Sequence, residues 1–196
     1  MARSASDQRV SCRGETLVLT RRDVSRLLPM ADCVEAVERA FRRHAAGASI
    51  PPGVLGTQVD GGGFHVKTAG LHGERGAPGE RSVFAAKVNA NFPENPARRG
   101  LPTIQGVIAL FDAETGGPLA VLDAIEITSL RTAAATAVAA RHLARADAGV
   151  VTVCGCGEQG RAQLRALAAV RAVRAAMAFD VDAGRAARYA DEMARH

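Results

Sequence analysis

Residues 150–160 read Val-Val-Thr-Val-Cys-Gly-Cys-Gly-Glu-Gln-Gly, and the fold turns on this stretch. Val150 to Val153 is a short continuous apolar run, the pattern of a parallel strand buried on both faces. Gly155, Gly157 and Gly160 follow as G-x-G-x-x-G, and Arg161 to Val170 then reads as a helix. In that setting the first glycine permits a tight turn, the second lets a diphosphate approach the backbone, and the third lets helix and strand pack closely. The helix N-terminus offers unpaired N–H groups and the positive end of its dipole. Ala175 to Phe179 reads as a second strand and ends in Asp180. An acid about 20 residues past the last glycine accepts hydrogen bonds from ribose hydroxyls and repels a 2′-phosphate. The glycines alone would be a plain turn. Strand, turn, helix, strand and acid together point to a dinucleotide, NAD ahead of NADP, with Arg185 near enough to compete as a phosphate contact.

Upstream, Leu130 to Leu143 is almost wholly Ala, Val and Leu, broken by Arg131, Thr132 and Thr136, and reads as a buried helix. A guanidinium in such a helix is expensive without a fixed anionic partner. Before it the pattern is α+β. Leu17 to Leu28 reads as a short strand and a helix start, closed by Pro29. Ala31 to His44 carries a helical stripe at Val34, Val37, Ala40 and Phe41, ended by Gly47 and Pro51-Pro52. Val54 to Leu71 suits antiparallel strands, His72 to Arg81 an exposed loop, and Val83 to Val88 another strand. Ile104 to Phe111 and Leu119 to Leu122 form a hairpin, with Gly116 and Gly117 free to take positive φ. The expected division is a flexible 1–15, a substrate and dimerisation domain over 16–127, and an incomplete Rossmann domain over 128–196.

The chain has 196 residues, 47% hydrophobic and 23% charged, the balance of a soluble globular protein. No apolar run approaches the roughly 20 residues that span a bilayer. Met1 to Glu15 is polar, carries Arg3, Arg9 and Arg13, and lacks the apolar segment of a secretory signal, so a cytoplasmic location is expected. The net charge of +5 invites a nucleic-acid reading, but the basic residues are spread among 20 carboxylates and aromatics are only 4%. Small anions are the better reason for local positive charge. Cys12 and Cys33 are isolated, and Cys154 and Cys156 sit in the glycine turn, so neither a disulfide framework nor a metal site is expected. Of 25 basic residues only Lys67 and Lys87 are lysine. An ammonium is a compact charge tunable by burial, unlike guanidinium.

Four segments carry a specific likeness: Lys87-Val-Asn-Ala-Asn-Phe-Pro-Glu-Asn-Pro, Gly100-Leu-Pro-Thr103, Leu130-Arg131-Thr-Ala-Ala-Ala, and Gly155-x-Gly157-x-Gln159. In order and spacing they resemble the ornithine cyclodeaminase/μ-crystallin family, from about Leu17 onward. The resemblance implies a homodimer in which Lys87 pairs with the carboxylate of a small amino or imino acid, or polarises its imine. It implies that Thr103 contacts the nicotinamide end of the cofactor and that Arg131 lies between substrate carboxylate and cofactor. It places Glu158 and Gln159 at the diphosphate turn, with Gly155, Gly157 and Gly160, and makes Asp180 the ribose acid. His65, His72 and His142 match no such pattern and read as structural or solvated.

Two departures stand out. Where family members carry an arginine just after a proline, Pro52 is followed by Gly53, and Lys67 stands where many have an uncharged residue. Lys67 is therefore expected to take over part of a missing carboxylate clamp. The proton-shuttling acid of the cyclodeaminases lies beyond position 196, so a C-terminally truncated or split product is expected. The activity so implied is NAD-dependent conversion of ornithine to proline and ammonia. Alternatives within the same scaffold are a ketimine or pyrroline-2-carboxylate reductase and an alanine dehydrogenase. The non-enzymatic alternative is an inactive μ-crystallin-like binding protein.

Overall fold

The computed structural model describes residues 15–73 and 81–195; the N-terminal stretch and most of the loop expected over 72–81 lie outside them. A six-stranded sheet runs in the order β1-β6-β5-β4-β3-β2. Its members are β1 (Leu17–Leu19), β2 (Ser49–Val59), β3 (Gly62–Leu71), β4 (Val83–Asn91), β5 (Ile104–Asp112) and β6 (Pro118–Asp123). Strands β2 to β6 form an antiparallel meander, and β1 joins β6 in parallel. A second sheet pairs β7 (Val150–Cys154) with β8 (Ala175–Phe179) in parallel across helix α5 (Glu158–Ala168). The fold is therefore α/β, an antiparallel α+β half followed by a βαβ unit.

Helix α4 (Ala124–Leu143) joins the halves, and the expected division at 127/128 falls within it. It begins six residues before the apolar run that announced it, because Asp123 caps it by accepting the Ile125 N–H at 2.8 Å. Three β-branched residues in its first turns, Ile125, Ile127 and Thr128, disguise that start. Ala133, Ala134, Ala137 and Val138 pack against Cys33 and Val34 of α2 (Met30–Ala45) and against Ala162 and Ala166 of α5. Small side chains let α4 sit close between two helices. Arg171 donates to the Ala140 carbonyl at 3.0 Å, tying the end of α4 to the second sheet.

Some local expectations change. Phe41 is 52% exposed, so the buried stripe of α2 rests on Cys33, Val34 and Val37 instead. Pro51 and Pro52 do not lie between elements; they sit in β2 at a register shift between Ile50 and Gly53. That strand is an edge strand, where a missing N–H is tolerated. In β7 as described, Val153 is buried and Val150 is 55% exposed. In the hairpin, Gly116 takes a φ of 75° and Gly117 does not take a positive one.

His142, read as structural or solvated, is structural. Its Nε2 lies 2.9 Å from Glu38 of α2, which also pairs with Arg42 at 2.8 Å and with Arg141. These partners, Arg42 first, hold the Glu38 carboxyl at about 2.

Candidate functional site

The antiparallel register sets Lys67 of β3 directly opposite Lys87 of β4, with Ile108 of β5 on the other side of Lys87. Directly opposed residues project from the same face of a sheet, with Cβ atoms roughly 5 Å apart. Helix α4 brings Thr128 and Arg131, three apart and so on one helical face, to that side. The Lys87 ammonium donates to Thr128 Oγ1 at 3.4 Å. Burial, then the nearby charges of Arg131 and Lys67, bring Lys87 down from 10.5 to about 8. Among the described residues no carboxylate pairs with any of the three cations. Three positive groups thus lie near one another, and among the described residues no counter-charge pairs with them.

Two details differ from expectation. Arg131 is exposed, so the cost of burying a guanidinium does not explain it. Its place beside Lys87 does. Gly53 pairs with Thr68, and Lys67 pairs with Val54, so position 53 belongs to the opposite face from Lys67 and Lys87. A Cβ at Gly53 would meet Thr68 Oγ1 at 2.7 Å. Lys67 therefore does not fill a gap left at 53; it is an additional charge on the Lys87 face.

Asn89 lies two positions beyond Lys87 on the same face, opposite His65 and Gly106. Its Oδ1 is buried with no hydrogen-bond partner. A Cβ at Gly106 would come within 2.6 Å of that oxygen, so the glycine makes its room. Sequence reasoning missed Asn89 and Thr128. The period of two along β4 and of three to four along α4, counted from Lys87 and Arg131, are the signals that find them.

Thr103 immediately precedes β5. Its carbonyl accepts the Phe92 N–H at 2.8 Å at the mouth of β5, and the buried Asn95 amide holds the neighbouring Pro102 carbonyl at 3.4 Å. Five residues of extended strand, about 16 Å, separate it from Ile108 opposite Lys87.

The glycine turn closes as its pattern predicts. Gly155 has φ 100°, a conformation that favours glycine. A Cβ at Gly160 would fall 2.3 Å from the Gly155 carbonyl, so α5 packs on β7 only with glycine there. Nothing lies within 4 Å of where a Gly157 Cβ would stand. Asp180 follows β8, its side chain 5% exposed; Oδ2 accepts the Cys156 N–H at 2.8 Å and Oδ1 the Asp182 N–H at 3.0 Å. These bonds, with Arg185 at 3.7 Å, hold the Asp180 carboxyl below its usual range. The buried Tyr189 of α6 (Ala183–Met193) donates to the Gly160 carbonyl at 3.0 Å and braces the turn from behind.

An open cleft of about 670 Å³ runs over this turn, with Gly155, Gly157, Glu158, Gln159 and Asp180 on one side and Thr136 of α4 on another. Thr136 is five residues beyond Arg131, roughly 7.5 Å along the helix. One helix thus borders both the cation cluster and the glycine cleft. Another cleft of about 700 Å³, between α5, β8 and α6, is lined by apolar residues such as Leu164, Val173 and Met193 and holds none of the motif residues.

Residues 14–196 match the ornithine cyclodeaminase/mu-crystallin family. The chain belongs to this family. It is 40% identical over 168 residues to the alanine dehydrogenase of Archaeoglobus fulgidus, covering 85% of this chain and 49% of that protein. Among solved structures, an archaeal alanine dehydrogenase dimer with bound NAD superposes with a TM-score of 0.84 at 36% identity, over 92% of this chain and 53% of that one. The Thermococcus litoralis Δ1-pyrroline-2-carboxylate reductase, in complex with NADH and L-proline, gives 0.81 at 34% identity, over 92% and 54%. The chain spans about half the length of the curated relatives it matches. No helix among the described residues is long and apolar enough to cross a membrane.

Proposed function

We propose that this chain supplies the dinucleotide turn and the carboxylate receptor of an NAD-dependent enzyme acting on a small α-amino or α-imino acid. The observation that carries the reading is Lys87, half-buried, its pKa lowered to about 8 by burial and by the nearby charges of Arg131 and Lys67, with no carboxylate paired to it among the described residues. The residues of the glycine turn fit the cofactor: Gly157 leaves open space, the first turn of α5 offers its N–H groups, and Asp180 retains lone pairs for hydroxyl donors. When bound, NAD supplies hydride acceptance or donation. The chain's own residues bind and orient. Arg131 and Lys87 hold a carboxylate by charge-assisted bonds, and Thr128 steadies the ammonium. An ammonium with a pKa of about 8 also gives up a proton near neutrality, which suits protonation of an imine nitrogen.

Net oxidation or reduction of such a substrate, as in the dehydrogenase and reductase relatives, is favoured over cyclodeamination. A diamino acid would bring a second cation to a site already holding three. The division into a substrate and dimerisation half and a nucleotide half, and a homodimeric cytoplasmic protein, belong to the same proposal. Assay of the protein with NADH and pyruvate plus ammonia, with NADH and a cyclic imino acid, and with ornithine plus catalytic NAD separates the activities. Proline and ammonia formed from ornithine at rates above the two reductions would make cyclodeamination the main reaction instead.

A further inference from the structure

The cation cluster holds more charge than one carboxylate can neutralise. Lys87 reaches Thr128 of α4 and lies near enough to Arg131 to feel its charge, and the chain adds a third charge by register, placing Lys67 directly opposite Lys87. Like charges in that relation destabilise a sheet. The chain otherwise uses arginine: its two lysines are this pair. Lys67 is exposed while Lys87 is half-buried, so the two ammonium groups sit at different depths on one face. Among the described residues nothing acidic offsets them.

We propose, resting on the function proposed for the same site, that it takes a substrate with two anionic groups, a short dicarboxylic amino or imino acid. Lys87 and Arg131 grip the carboxylate next to the reacting carbon, and Lys67 at the rim grips the distal one. Two anions then answer three cations. Lys67 is in this reading a specificity-determining residue. Its long flexible stem and exposed head suit a group whose position varies with chain length.

Unreactive ligands test this apart from turnover. Succinate and propionate are titrated into the protein by calorimetry, in the wild type and in Lys67→Met and Lys67→Arg. Expected are succinate affinity at least tenfold above that of propionate in the wild type, loss of most of that ratio in Lys67→Met, and its return in Lys67→Arg. Equal affinities in the wild type, or a ratio unmoved by Lys67→Met in a variant that melts like the wild type, overturn the proposal. Turnover supplies the second arm: with NADH and ammonia, kcat/KM is expected to be higher for oxaloacetate than for pyruvate. A succinate preference without turnover of either substrate would sink the enzymatic reading and leave the two-anion site standing. Turnover of pyruvate alone would do the reverse.

Discussion

Asp180 Oδ2 accepts the backbone N–H of Cys156 at 2.8 Å, 24 positions back in the chain. The acid that follows the second strand is thus a structural clasp of the glycine turn as well as a candidate ribose acceptor. Asp180→Asn keeps one carbonyl acceptor and removes the negative charge. NAD affinity is expected to fall roughly tenfold or more, with the preference against NADP narrowed. Quenching or enhancement of NADH fluorescence on titration reads both, and unchanged NAD affinity would remove Asp180 from the cofactor site.

Gly160 lies where a Cβ would meet the Gly155 carbonyl at 2.3 Å, against backbone that cannot rotate away. Gly160→Ala must push α5 off β7. A cost of about 1–3 kcal/mol follows for overpacking of this kind. For a chain of this size that lowers Tm by about 2–10 °C, measurable by circular dichroism. Gly157→Ala, with open space at its Cβ, should leave Tm nearly unchanged while weakening NADH binding.

Lys87 carries a pH signature. A lysine whose folded pKa is about 8 instead of 10.5 penalises the native state while charged. The penalty is complete below pH 8 and is relieved as pH rises from about 8 to 10.5, so this group makes the protein gain stability through that window. Lys87→Met removes the gain. An anionic ligand raises the pKa again, so binding near pH 8.5 takes up protons. Calorimetry in buffers of different ionisation enthalpy detects the uptake, and Lys87→Arg is expected to abolish it.

Glu38 behaves in the opposite sense. Its carboxyl is held at about 2 against an ordinary 4.5 by Arg42, His142 and Arg141, joining α2 to α4. That contribution is present above pH 4.5 and is lost as pH falls from 4.5 toward 2. Glu38→Gln is expected to flatten this part of the acid-unfolding curve. A wild-type and variant pair with parallel curves over pH 4.5 to 2 would show that the pairs add nothing to stability.

The βαβ unit was legible because its cues are local. Turn glycines, the apolar run before them and the acid at a set distance act within 30 residues, and each is dictated by backbone sterics. The start of α4 was not, since its first turns carry β-branched residues and its cap is a strand-end aspartate whose role shows only once the Ile125 N–H is in place.

Local chemistry in the sequence determined the glycine bend and the aspartate after the second strand, and it singled out Lys87 as one of two lysines and Arg131 as a charge in an apolar helix. Tertiary structure alone decided what stands next to them. Which residue faces Lys87 depends on the pairing of two strands joined through a distant loop, and a shift of one position would turn Lys67 to the other side of the sheet. The same long-range register placed Gly53 on the far face and left the Asn89 oxygen buried without a donor among the described residues. Charges and hydrogen bonds act through space, and a chain's order along its length does not disclose those distances.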